Sequence, residues 1–112
     1  MVIIKVLTVK EPWASLIING YKMYEFRSWK TKYRGKILIH AGMTLEKDMA
    51  ERFSSYNLNY YKGEIIGEAT LVDCILVDEE FNKKLHDINP LVYGRSNHVE
   101  TYAWKLENIC KY

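Results

Sequence analysis

The segment GYKMYEFRSW, residues 20–29, holds a lysine, a carboxylate, an arginine and an indole within ten positions. Its period-two alternation places Glu25, Arg27 and Trp29 on one face of a predicted strand. Lys22 follows a helix-ending glycine by two positions. We therefore expect its ammonium group at the junction between a helix and this strand, where it would lie on the rim of a pocket.

Two kinds of chemistry fit these side chains. Arg27 offers a planar fork of donors to a phosphate or a base edge, and Glu25 can orient that fork or accept from a base amino group. Trp29 supplies a surface on which a base can stack. Catalysis requires more, because a lysine beside a carboxylate transfers protons only if burial shifts one of the two pKa values. The alternative to any site is an ordinary surface ion pair with Trp29 in the core.

Basic residues are concentrated around the same segment. Residues 20–37 contain one acid, Glu25, against six basic residues: Lys22, Arg27, Lys30, Lys32, Arg34 and Lys36. The whole chain has a net charge of only +2. This local excess indicates an anionic partner such as a nucleic acid backbone, although lysines that guard a strand edge give the same pattern.

The remaining reactive residues do not predict a second chemistry. Cys74 and Cys110 form no C-x-x-C pair, and His40, His86 and His98 lack any metal-ligand spacing. We therefore expect reduced thiols and neither a metal nor a cofactor. His40 is a second candidate acid or base, but a histidine at the end of an apolar strand is more often a core residue. No glycine-rich phosphate loop, G-x-S-x-G elbow or dinucleotide fingerprint is present.

Length and composition predict an ordinary globular protein. The chain has 112 residues, of which 48% are hydrophobic and 27% charged. We expect one domain spanning residues 1–112. No stretch approaches the roughly 18 apolar residues of a membrane span, and the first residues, MVIIKVLTVK, lack a signal-peptide cleavage site. The prediction is a cytoplasmic protein, away from membranes and more plausibly a monomer than an oligomer.

Hydrophobic periodicity predicts an alternation of strands and helices. Runs of strand type occupy residues 3–9, 22–29, 35–42, 64–77 and 101–109. A helix is expected over residues 12–19 with Gly20 as its left-handed cap, and a second from Thr44, its predicted cap, to about Ser55. A helical turn over residues 79–86 precedes an irregular stretch over residues 87–98.

This order of elements favours an α+β fold. We expect about five to six strands in a curled sheet or barrel, with two to three short helices plugging or flanking it. Gly67 inside the longest strand indicates a bulge where the sheet curls. The short turn over residues 30–35 predicts an antiparallel pairing of the second and third strands.

The segment EPWASLIINGYKMYEFRSW, together with KYRGKILIHAG, resembles the activating signal cointegrator homology (ASCH) family. The family pattern G-x-K-x-x-E-x-R is matched by Gly20, Lys22, Glu25 and Arg27. The helix start at Pro12-Trp13-Ala14, the Arg34-Gly35 turn, Ile39-His40-Ala41, a later G-E-I-I-G strand and a closing strand with Trp104 also fit.

The resemblance implies a PUA-like β-barrel with a cleft between the barrel and the first helix. It also implies recognition of RNA or a modified nucleoside, with Lys22, Glu25 and Arg27 lining the cleft and Trp13 or Trp29 stacking on a base. The basic turn that carries Lys30, Lys32 and Arg34 would then hold a nucleic acid backbone beside the cleft.

Small proteins of this family also include enzymes. Some remove the acetyl group from N4-acetylcytidine, and one member has ribonuclease activity. In the deacetylating subgroup the lysine that matches Lys22 is catalytic, and a threonine occupies the position of Glu25. If this chain is an enzyme of this type, its candidate catalytic residues are Lys22 and Glu25, although Glu25 lacks the hydroxyl of that threonine. Binding is our first hypothesis, a hydrolase of nucleosides or RNA is the second, and a protein-interaction domain is the third.

Overall fold

The computed structural model describes residues 4–94 and 97–112. Along these residues the elements are β1 (Val6–Glu11), α1 (Trp13–Ile18), β2 (Tyr24–Arg27), β3 (Gly35–Leu45), α2 (Lys47–Arg52), a 3-10 turn (Ser54–Tyr56), β4 (Glu64–Leu76), α3 (Glu79–Ile88), α4 (Pro90–Tyr93) and β5 (Tyr102–Lys111). The predicted order of strands and helices is confirmed; there are more helices than expected, α1 and α2 are shorter than predicted, and α3 is longer.

The five strands form one mixed sheet in the order β1-β3-β4-β5-β2. β1 runs parallel to β3, and the other neighbours are antiparallel. The sheet curls until its two edge strands approach each other, where Arg27 Nη2 on β2 donates a hydrogen bond to the carbonyl oxygen of Thr8 on β1 at 2.6 Å. This curled half-barrel with short helices confirms the predicted α+β, PUA-like class.

The pairing predicted for the second and third strands is wrong. β2 pairs with β5, where Glu25 lies opposite Trp104, and β3 lies between β1 and β4. A short connection limits only the distance between two strand ends, and the seven residues 28–34 can span about 23 Å. Because the sheet curls, that length is enough to pass from one edge of the sheet to a non-adjacent strand.

The bulge predicted at Gly67 is confirmed. Ile39 of β3 lies opposite Gly67 and His40 lies opposite Ile65, so β4 holds one extra residue at this point. A Cβ atom on Gly67 would lie 2.6 Å from both the carbonyl oxygen of Cys110 and Cδ1 of Ile18. The absence of a side chain at Gly67 therefore lets α1 pack closely inside the curl.

Gly20 ends α1 as predicted and so determines where Lys22 begins. It has a φ of +83°, and its amide donates to the carbonyl of Ile17 at 3.0 Å. The amides of Tyr21 and Lys22 both donate to the carbonyl of Leu16, at 2.9 and 3.2 Å. These bonds close the helix with a left-handed glycine and direct the chain into β2.

The boundaries of later elements differ from the predictions. Thr44 lies in β3 and does not cap a helix, because the amide of Glu46 bonds to the carbonyl of Glu11 at 2.9 Å and extends the contact with β1. α2 therefore begins only at Lys47. The stretch 87–98 is partly helical: α3 continues to Ile88, and α4 begins at Pro90. Residues 95 and 96 of that stretch, and Ile3 of the first strand, lie outside the described residues.

Helix α1 fills the curl of the sheet. All of its residues after Trp13 are buried. Ile17 and Ile18 pack among strand residues such as Ile39 and Leu71 in one core cluster. A second cluster, built around Leu16, Tyr24, Phe53, Leu85 and Tyr93, joins α1 to the helices on the outside. The end of α1 and the start of β2 are thereby held by both clusters.

Candidate functional site

A cleft of about 720 Å³ opens between β1, the start of α1, the segment that leads from α1 into β2, β2 itself and the end of β3. Six of its lining residues carry the chemistry discussed below: Trp13, Lys22, Glu25, Phe26, Arg27 and His98. The predicted group of Lys22, Glu25 and Arg27 therefore lines a single concave site. Thr8, Lys10 and Glu46 also line it.

Lys22 lies at the floor of the cleft with only 4% of its side chain exposed. Its Nζ donates to the carbonyl oxygen of Tyr24 at 2.6 Å and to Oε1 of Glu25 at 2.8 Å. The ammonium also lies 5.0 Å from the ring centre of Phe26 and 5.8 Å from that of Trp13. An ammonium group has three hydrogens, so one remains for a ligand.

Glu25 is held between two cations. Its Oε1 accepts from Lys22, and its Oε2 accepts from Arg27 Nη2 at 3.1 Å. Burial on its own would raise the pKa of Glu25, but the charges and hydrogen bonds of Lys22 and Arg27 outweigh burial and lower the pKa below its ordinary value. The carboxylate is therefore charged at neutral pH, which makes Glu25 unsuited to act as a general acid.

Arg27 connects the cleft to the closure of the sheet. Its Nη2 donates both to Glu25 and to the carbonyl oxygen of Thr8, whereas its buried Nε has no hydrogen-bond partner among the described residues. Its guanidinium lies 5.7 Å from the ring centre of Trp29. A buried donor without a partner is uncommon in folded proteins, so Arg27 Nε is an unsatisfied hydrogen-bond donor beside the cleft.

The two candidate stacking residues occupy different places. Trp13 lines the cleft, and its indole N–H donates to Oε2 of Glu46 at 3.2 Å while its ring packs edge-on against Phe53. Trp29 does not line the cleft; it is 53% exposed and packs edge-on against Trp104. Only Trp13 can contact a ligand at the cleft floor, whereas Trp29 lies just beyond Arg27.

The predicted basic turn lies outside the cleft lining. Arg34 Nη1 donates to the carbonyl oxygens of Thr31 and Tyr33, at 3.0 and 2.8 Å, so it holds the turn together. Lys30 and Lys32 are exposed, and within residues 4–94 and 97–112 neither forms an ion pair. These two lysines are the ones that remain available to an anionic partner.

His98 is one of several cleft residues that the sequence analysis did not assign to the site, and it is the one with a titratable ring. Its ring stacks on Phe26 at 3.7 Å with an interplanar angle of 9°. Burial, together with the positive charge of Lys22, lowers the pKa of His98 to about 4. No motif spacing signals this role, because His98 reaches the cleft only through the fold. His40, the histidine considered from sequence, does not line the cleft, and its Nδ1 lies 3.2 Å from Thr8 Oγ1.

The described part of the chain contains no cluster of three or more His, Cys, Asp or Glu side chains arranged to hold a metal ion. Cys74 and Cys110 are both unpaired. No helix among these residues has the length and apolar character needed to cross a membrane.

Comparison with known proteins identifies the relatives of this chain. The family model described as the ASCH domain matches residues 7–112. Human activating signal cointegrator 1 is 34% identical over 131 aligned residues, which cover 91% of this chain and 22% of the human protein. The mouse protein of the same name is 32% identical over 95 residues, covering 74% of this chain and 16% of its own length. The chain thus spans about a fifth of the length of the curated relatives it matches.

Proposed function

This chain belongs to the ASCH domain family, and we propose that it is a binding domain whose cleft takes up a base of RNA or a modified nucleoside. One observation is the main support for this proposal. Buried Lys22 and Glu25, together with the partly buried Arg27, place two cations and one carboxylate at the floor of a cleft that has aromatic side chains in its walls.

The walls suit a flat heterocycle. Trp13, Phe26 and His98 offer ring surfaces, and bases that are not paired in a helix are recognised by stacking together with hydrogen bonds to their edges. Lys22 keeps one ammonium hydrogen free for a carbonyl oxygen. Each Glu25 oxygen accepts one hydrogen bond from a cation and retains capacity to accept another from a base amino group.

The surface beside the cleft suits a sugar-phosphate backbone. Trp29 is exposed next to Arg27, and the free lysines Lys30 and Lys32 follow it. In the proposed complex the base enters the cleft while the adjoining phosphates contact these lysines. Binding to RNA should then weaken with salt, by a slope of about −0.7 in log K per phosphate engaged.

The test is the affinity of short single-stranded RNA, measured by fluorescence anisotropy at several salt concentrations. The proposal predicts saturable binding with a small negative salt slope, because few phosphates are contacted. A free nucleoside should bind as well, with almost no salt dependence. If neither the RNA nor any nucleoside binds, the proposal fails and a protein-interaction domain becomes the better hypothesis.

A hydrolase is the second candidate, and the contact between Lys22 Nζ and Glu25 Oε1 inside the cleft favours it. Both Glu25 oxygens are engaged by cations and the pKa of Glu25 is lowered, so this carboxylate would be a weak base. Glu25 also lacks the hydroxyl that the threonine of the deacetylating subgroup provides. These features rank catalysis below binding.

Chromatography of N4-acetylcytidine and short RNAs after incubation with the protein separates the two candidates. Turnover that is lost in Lys22→Ala would establish the enzyme. Unchanged substrates alongside measurable binding would support the recognition domain.

A further inference from the structure

The backbone around His98 is fixed from two sides. Its amide donates to Oδ1 of Asn82 on α3 at 3.1 Å. Its carbonyl oxygen accepts from both the amide and the hydroxyl of Thr101, at 3.1 and 2.6 Å. The residue is thus tied to α3 and to the start of β5, and its position does not depend on a free loop.

The imidazole ring is also held in place, yet its nitrogens are unused. The ring stacks on Phe26 at 3.7 Å and nearly parallel to it, and Phe26 packs edge-on against Tyr93. Neither ring nitrogen of His98 forms a hydrogen bond with any described residue. A half-buried polar ring whose plane is fixed and whose nitrogens have no partner keeps its full capacity for a ligand.

The groups around His98 favour its neutral form. Burial is the main cause of its low pKa, and the positive charge of Lys22 acts in the same direction. Glu25 acts in the opposite direction with a smaller effect. A neutral imidazole presents one donor and one acceptor, whereas a charged one presents two donors.

We propose that His98 is the specificity-determining residue of the cleft, which hydrogen-bonds through a ring nitrogen to the polar edge of an uncharged, carbonyl-bearing nucleobase. This inference rests on the proposed function. Lys22 points a donor at the base from one side, and His98 supplies the second hydrogen bond from the wall formed with Phe26. The pair selects among bases that fit the cleft equally well by shape.

The charge of the site indicates a base in preference to a phosphate. At the cleft floor Glu25 offsets one of the two cations, and Arg27 Nη2 already donates to Thr8 and Glu25. His98 adds no charge. A phosphate would therefore face a carboxylate with little excess positive charge, whereas a neutral heterocycle uses the same donors without repulsion.

The experiment compares the wild-type chain with His98→Phe and with Lys83→Ala, an exposed α3 residue that serves as the matched control. His98→Phe keeps an aromatic ring for the stack and removes the two nitrogens. Affinities for the four common nucleosides and for inorganic phosphate are measured by calorimetry. We expect His98→Phe to lose about 5-fold in affinity for the preferred nucleoside, the effect of one hydrogen bond, and to discriminate less among the four than the wild type does. Lys83→Ala should match the wild type, and phosphate should not compete.

A second measurement does not depend on any variant folding. Imidazole nitrogen resonances of the wild-type protein are recorded with and without a saturating nucleoside. We expect the His98 nitrogens to shift while those of His40 remain unchanged. Nucleoside binding with an unmoved His98 resonance, or with wild-type selectivity in His98→Phe, overturns this inference alone. Failure of every nucleoside and RNA to bind overturns the proposed function as well.

Discussion

Lys22 Nζ lies 2.8 Å from Oε1 of Glu25, and both side chains are almost completely buried. Removing two charges from water costs more than their attraction usually returns, so such a pair is weak evidence for stability. Here the pair is surrounded by Trp13, Phe26 and Arg27 at the floor of a cleft. Its position fits a role in recognising a ligand better than a role in holding the fold together.

Removing one member of this pair should destabilise the protein, and removing both should not. Lys22→Met leaves Glu25 buried with Arg27 as its remaining partner, and we expect a loss of roughly 3 kcal/mol in the free energy of unfolding. The double variant Lys22→Met/Glu25→Leu should recover most of that loss while still failing to bind nucleosides. Urea denaturation at pH 7 measures the free energy of unfolding of both variants. A double variant no more stable than the single one would show that the ion pair does stabilise the fold.

Stability should fall as the pH drops below 6.5. The pKa of His98 is about 4 in the folded protein and near 6.5 in the unfolded chain, so the unfolded chain takes up the proton first. The contribution of His98 is present above pH 6.5 and is lost as the pH falls toward 4. Glu25 adds a further loss at lower pH, because its folded pKa lies below its ordinary value.

Thermal unfolding of the wild type and of His98→Phe between pH 7 and pH 4.5 tests this pH dependence. We expect the slope of Tm against pH to be smaller in the variant. Parallel slopes would mean that His98 titrates normally in the folded protein.

Arg27 should matter more for binding than Lys32, although both carry one positive charge. Arg27 lines the cleft, where a charged hydrogen bond from its guanidinium to a bound ligand would be worth roughly 1.5–3 kcal/mol. Arg27→Ala should therefore weaken RNA binding by at least about 10-fold, whereas an exposed lysine contributes about 0–1 kcal/mol and Lys32→Ala should cost less than about 5-fold. Fluorescence anisotropy, with circular dichroism to verify folding, gives both values. Equal losses would locate the binding surface on the basic turn, outside the cleft.

Gly67→Ala should disturb the cleft from a distance. Its new Cβ would lie 2.6 Å from the carbonyl of Cys110 and from Cδ1 of Ile18, so α1 must move. We expect a loss of about 1–3 kcal/mol in stability, as for other overpacked sites, together with weaker nucleoside binding because α1 leads into Lys22. Urea denaturation and calorimetry measure these effects, and Glu64→Ala at the exposed start of β4 is the control. A variant as stable as this control would show that the bulge tolerates a side chain.

Local patterns predicted the part of the site that is local in sequence. The Gly20 cap was predicted from the helical pattern, and the period-two alternation placed Glu25 and Arg27 on one strand face, where Arg27 Nη2 donates to Glu25 Oε2. That Lys22, Glu25 and Arg27 line one cleft was implied by the resemblance to the ASCH family and not by these patterns. The bulge at Gly67 was also visible, since glycine inside a long strand has few other uses.

Features that depend on distant contacts were not predictable in this way. The pairing of β2 with β5 depends on which edges the curled sheet leaves open. Thr44 continues a strand because Glu46 bonds to Glu11. His98 enters the cleft only because Asn82 and Phe26 hold it there.

The most direct test of the cleft hypothesis is a titration of the isotopically labelled protein with nucleosides, including N4-acetylcytidine, and with a short single-stranded RNA. Amide spectra are recorded at each step. We predict that the largest shifts cluster at Lys22, Glu25, Phe26, Arg27 and His98, and that the RNA adds shifts at Lys30 and Lys32. Unchanged cleft amides at saturating ligand, or shifts confined to the exposed lysines, would contradict a base-binding cleft.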